Sequence, residues 1–183
     1  VSVGPSVPLV LRGSNEAASW MPGQDRSPSG DLLDRIRAMY RSDPHLYDRF
    51  EAGLDVTAFA RNYDDPASGV TGDQIASIAE AAGRLLAADD GPRIAVLDLP
   101  GWDTHFAQGT LDGRLPKALD VLAASLLALR RGLGDAWRDT AIAAATEFGR
   151  TARPNGSGGT DHGTASVALL AGWRTREAAL LLG

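Results

Sequence analysis

An α/β fold with parallel strands is what this sequence predicts, and three observations carry the expectation. A short β-rich apolar run, Arg93 to Leu99, follows the turn signal Asp89-Asp90-Gly91-Pro92 and reads as a buried parallel strand. Leu115, Leu119, Leu122, Leu126, Leu129 and Leu133 recur in steps of four and three, which marks an amphipathic helix from Leu115 to Gly134. Thr140 to Thr146 is a second short apolar run, placed just after the glycines that close this helix. Strand, helix and strand make one βαβ unit, expected to be right-handed and parallel.

The remaining elements follow in chain order. Val7 to Leu11 reads as a short buried strand, and Ser14 to Gly30 as a loop rich in Ser, Pro and Gly. Asp31 to Arg41 places Leu32, Leu33, Ile36, Met39 and Tyr40 along one helical side. Asp43-Pro44 is a cap followed by proline at a first helical position, and Leu46, Phe50 and Leu54 recur behind it. Asn62 to Gly69 breaks the pattern. Thr71 to Gln74 has capping-box form ahead of a further helix that carries Ile75, Ile78, Leu85 and Leu86. The chain thus reads as a single domain. Residues 1–92 are mainly loop and helix, 93–170 the βαβ core, and 171–183 a divergent tail.

Composition excludes several classes. The 183 residues are 44% apolar and 22% charged, which fits a folded globular domain. No apolar stretch is long enough to span a membrane, and Val1-Ser2-Val3-Gly4-Pro5 lacks the features of a signal peptide. A net charge of −5 with scattered arginine argues against nucleic-acid binding. The absence of cysteine removes disulfides, thiolate zinc sites and thiol nucleophiles together.

Ligands of open parallel sheets bind beyond the carboxyl ends of the strands. The segment after the first strand of the unit reads Gly101-Trp102-Asp103-Thr104-His105. The segment after the second contains Glu147, Arg150 and, beyond a Gly-rich run, Asp161-His162. Asp, Glu and His form a natural ligand set for divalent metals. Five such groups on one rim suit two ions about 3.5–4 Å apart. Plainer readings stay open. Asp103 serves equally well as a turn residue and His105 as a solvated one. Glu147 serves as well in an ion pair with Arg150, and residues 155–163 as a linker. His45, after Pro44, reads as a surface residue, and Trp102 as a packing residue. No dinucleotide fingerprint, serine-hydrolase elbow or phosphate loop is present.

Three motifs, Gly-Trp-Asp-Thr-His (101–105), Thr-Glu-Phe-Gly-Arg-Thr (146–151) and Gly-Thr-Asp-His-Gly (159–163), occur in that order with a helix between the first two. Together with Val7 to Gly13 and Ser19 to Gly23, they resemble the bacterial family called domain of unknown function 1501. The resemblance extends to about Leu170. It implies membership of the alkaline phosphatase-like superfamily, and with it a three-layer α/β/α sandwich built on a mostly parallel sheet. It also implies two divalent ions (zinc, manganese, magnesium or calcium). Asp103 and His105 would serve one ion, Glu147, Asp161 and His162 would complete the pair, and Arg150 would face an anionic group. The implied substrate is a small phosphate or sulfate ester, and the implied location of the full-length protein is periplasmic or secreted.

Departures from that family temper the expectation. Its members are longer, and their N-terminal Gly-rich and Ser-His segments have no counterpart here. The chain is therefore expected to be part of a larger protein, with candidate ligands, no candidate nucleophile and no activity as it stands. The alternative expectation is a non-catalytic, metal-stabilised binding or assembly module of the cell envelope.

Overall fold

Polar caps and apolar spacing set the helices of the N-terminal half. In the computed structural model, which describes residues 1–3, 7–14, 17–21, 28–61, 74–172 and 179–182, helix α1 spans Gly30–Tyr40 and α2 spans Pro44–Arg61. Ser29 Oγ accepts the Leu32 N–H at 3.3 Å, and Asp43 Oδ1 accepts the Leu46 N–H at 3.1 Å. Each bond satisfies a donor that the first helical turn leaves free. Arg37 of α1 donates to Glu51 of α2 at 2.6 Å, and Tyr40 meets Phe50 edge-on at 5.8 Å. Helix α3 spans Gln74–Ala87. The capping residues expected ahead of it, Thr71 to Asp73, lie outside the described residues, as do Asn62 to Gly69.

The core forms where α3 meets α4 (Arg114–Leu133). Ala79, Ala81, Ala82 and Leu85 of α3 are buried together with Ala128, Leu129 and Leu133 of α4. Gly83 and Gly132 let the two backbones touch: a Cβ at Gly83 would meet the Leu129 carbonyl at 2.5 Å, and one at Gly132 would meet the Glu80 carbonyl. Glu80 also binds Arg84 on its own helix and Arg131 across the seam. A small parallel sheet lies against these helices. Its strands are β1 (Ser2–Val3), β2 (Ser19–Trp20) and β3 (Val96–Leu97), in the order β2-β1-β3. Val3 and Trp20 belong to the same buried cluster as the helices.

The architecture is therefore mixed α/β, with four helices among the described residues, but its sheets differ from the expected ones. Strand β4 (Ala141–Ala145) does form, yet it does not join β3 in a parallel βαβ unit. Strand β1, which the sequence did not announce, occupies the place beside β3. Strand β4 instead pairs antiparallel with β7 (Val167–Gly172), and β7 pairs antiparallel with β8 (Ala179–Leu182). The physical reason lies in burial. A parallel strand is covered on both faces, whereas exposure alternates along β4, as it does in a strand with one open face. Val7 to Leu11 is also corrected. Leu9–Leu11 is a 3₁₀ turn, and Leu9 and Val10 are more than three-quarters exposed.

Within the β4–β7 ribbon a second hairpin is nested. Strand β5 (Gly149–Arg150) pairs antiparallel with β6 (His162–Gly163), and the chain between them forms a tip. That tip is bound to the loop after β3. Ala107 N–H donates to the Ser157 carbonyl, Gln108 N–H to that of Gly158, and Thr160 N–H to that of Thr104. Gly159 permits the approach, since a Cβ there would collide with the His105 main chain. Ala107 adopts a left-handed conformation at φ 46°, an uncommon one for a residue with a side chain. No helix of the described residues is long and apolar enough to cross a membrane.

Candidate metal centre

The seam between the β3 loop and the ribbon tip brings together four of the five residues that the sequence singled out. Asp103 and His105 come from the loop, and Asp161 and His162 from the end of the tip. They meet at a junction of two loops rather than along the edge of one sheet, because β3 and β4 belong to different sheets. Asp103 Oδ1 lies 3.0 Å from His105 Nε2 and 3.0 Å from His162 Nε2. The opposite ring nitrogen of His105, Nδ1, lies 3.0 Å from Asp161 Oδ1. His105 thus sits between two carboxylates. Asp161 and His162, adjacent in sequence, reach different partners, as neighbouring side chains of an extended segment do.

Ring stacking orders the imidazoles further. His162 stacks on His105 with centroids 5.0 Å apart and on Phe148 at 4.4 Å. Residue type and spacing do not single out Phe148, and its place between Glu147 and Gly149 within a motif is the one sequence signal that points to it.

Arg150 does not pair with Glu147. Its guanidinium donates to Asp103 Oδ1 at 2.8 Å, to Thr160 Oγ1 at 3.1 Å and to Thr104 Oγ1 at 3.3 Å. The two threonine hydroxyls donate in turn to Gln108 Oε1, at 2.8 and 2.7 Å. Thr104 is almost wholly buried. This network sits behind the exposed carboxylates and holds Asp103 in place. Glu147 is exposed, and no hydrogen bond or ion pair described in the structure joins it to the cluster. The next residue, Phe148, supplies the ring that covers His162.

Electrostatics follow from these contacts. The Asp103 carboxyl is held below its ordinary value, chiefly by the hydrogen bond to His162 and then by Arg150 and the neighbouring imidazole charge. The Asp161 carboxyl is lowered as well, first by His105 and then by Asn155. Two carboxylates against one guanidinium leave the cluster net negative when both imidazoles are neutral. Among the described residues, Asp103, His105 and His162 are the group whose donor atoms converge enough to hold a metal ion, all within 4.8 Å of one another. The side chains remain 44–56% exposed, so the cluster opens to solvent. His45 is exposed near the start of α2, away from this seam in the chain, as expected.

Residues 21–179 match the family described as protein of unknown function (DUF1501). No curated protein and no solved structure matches the chain.

Proposed function

The chain belongs to the DUF1501 family of proteins of unknown function, and we propose that it carries a divalent-metal centre of the kind that serves phosphate or sulfate ester hydrolysis or transfer. The observation behind the proposal is that Asp103 Oδ1 stands 3.0 Å from Nε2 of both His105 and His162. Ligands bound at 2.0–2.2 Å to one ion are about 3–3.5 Å apart at neighbouring positions. Asp103 therefore stands from each histidine at close to the spacing that a bound ion requires. One carboxylate oxygen with two imidazole nitrogens suits zinc or manganese better than magnesium or calcium, which favour all-oxygen sets.

Asp103, His105 and His162 would hold one ion. Asp161 would stand behind His105, accept its Nδ1–H and so fix the tautomer that presents Nε2. Arg150 would keep Asp103 aimed at the ion, and Phe148 would restrain the His162 ring. Three protein donors leave further coordination positions open, as in catalytic sites. When bound, the ion would supply Lewis-acid polarisation of a phosphoryl or sulfuryl oxygen of a small anionic ester. This reading places one ion at the centre in preference to two ions sharing five ligands, because Asp161 is engaged behind His105. The parallel sheet with helices against it is in keeping with an alkaline phosphatase-like sandwich, and the proposal includes that relation.

A second reading, a metal-stabilised binding or assembly module, is favoured by one observation. The hydroxyls of Thr104 and Thr160 donate to Gln108, and that of Thr151 donates to the Arg153 carbonyl. Neither acceptor is a general base that would activate a hydroxyl as a nucleophile. Hydrolysis of nitrophenyl phosphate and nitrophenyl sulfate by the zinc- or manganese-loaded full-length protein separates the two readings. The enzymatic one predicts turnover that His162→Ala abolishes, whereas stoichiometric metal without turnover favours the module.

A further inference from the structure

Asn155 opens the run Asn155-Gly156-Ser157-Gly158-Gly159, which on composition alone reads as a linker. A side-chain amide offers two N–H donors and an oxygen with two lone pairs. Here all four are used. The oxygen accepts from the Ser157 N–H at 2.9 Å and the Gly159 N–H at 3.1 Å, which closes the turn. The nitrogen donates across the seam to the His105 carbonyl at 2.8 Å and to Asp161 Oδ1 at 2.9 Å. The orientation of the amide is fixed by its partners, since reversing it would set N–H against N–H.

We propose that Asn155 is a positioning residue for the metal centre: its single amide sets both the main chain of His105 and the carboxylate that holds the His105 ring. The inference rests on the metal reading above. Asp161 Oδ1 receives Asn155 Nδ2 and His105 Nδ1 together, so the direction of that oxygen follows the amide. The same amide pulls the His105 backbone toward the tip. Asn155 therefore fixes the ring at both ends, through the backbone carbonyl and through Nδ1. Residues that orient a ligand in this way commonly change metal affinity by about tenfold to a hundredfold when lost.

The test is a calorimetric titration of zinc into the full chain, Asn155→Ala, Asp161→Asn and the double variant, with metal-free thermal unfolding measured in parallel. Both single variants are expected to bind zinc about tenfold to a hundredfold more weakly. The double variant should fall short of the product of the two losses, because the changes share the Asn155–Asp161 contact. Asn155→Asp keeps the oxygen that closes the turn and removes both donors. It is expected to bind more weakly too, and it carries the test if the alanine variant fails to fold. Binding by folded Asn155 variants at the parent affinity overturns the inference. So do losses that multiply in full in the double variant, which would leave no part of the Asn155 effect acting through Asp161. Absence of zinc binding by the parent instead overturns the metal reading beneath it.

Discussion

His105 shows what the centre demands of a single side chain. A neutral imidazole has one N–H, yet both of its ring nitrogens lie 3.0 Å from a carboxylate oxygen. One of those contacts sets lone pair against lone pair unless a proton or a metal ion stands between them. A cation beside Asp103 Oδ1 resolves the conflict on the Nε2 side and leaves Nδ1–H for Asp161. The carboxyls themselves yield a pH prediction. Asp103 and Asp161 are both held below their ordinary values in the fold, Asp103 first by His162 and Asp161 first by His105. Their contribution to stability is therefore present above the unfolded carboxylate pKa of about 3.9 and fades as pH falls through the lowered values. Below about pH 4 the seam should loosen before the helical core does. Amide exchange of Ala107 and Gln108, whose N–H groups bind the tip, should then rise relative to that of Leu129.

At the scale of elements, the α3–α4 contact depends on two glycines. Gly83→Ala places a methyl group 2.5 Å from the Leu129 carbonyl, and is expected to cost about 1–3 kcal/mol, as overpacking does. Gly53→Ala, on α2, meets no atom within 4 Å and should stabilise by about 0.5–1 kcal/mol through helix propensity. Urea unfolding of the two variants checks both the sign and the contrast. These elements also show how far the sequence could be read. Helices α1, α2 and α4 were legible because capping residues and apolar spacing are local signals. The site of β4 was legible too, but its partner was not. Ala-Ile-Ala-Ala-Ala has no polar residues to reveal which face is open, so an antiparallel ribbon looked like a buried parallel strand. Strands β1 and β2, of two residues each, are too short to show a period.

Across the whole molecule, the candidate ligands converge for a reason other than the one their spacing implied. Asp103, His105, Asp161 and His162 stood out as residue types placed after predicted strands, and they do meet. Their meeting depends on a nested hairpin folding back over the β3 loop, on Gly159 allowing contact and on Asn155 binding across it. Such non-local pairing leaves little trace in a linear sequence, and the Gly-rich tip that makes it possible has the composition of a linker. Glu147 stood out for the same chemistry, yet the structure brings Phe148, and not Glu147, to the cluster. An ion at this seam would tie the β3 loop to the ribbon, so binding should raise the stability of the entire chain, by about 2.7 kcal/mol at a hundred times the dissociation constant.

Equilibrium titration of metal-free protein with zinc, read as bound ion per chain and as thermal midpoint, separates a metal centre from a seam held by hydrogen bonds alone. One ion per chain and a rise in the midpoint are expected. His105→Ala and His162→Ala should each weaken binding at least as much as loss of an orienting partner does, about tenfold to a hundredfold, and lose the rise. A parent chain that binds no stoichiometric zinc, or histidine variants that bind it as the parent does, would contradict the metal centre at Asp103, His105 and His162.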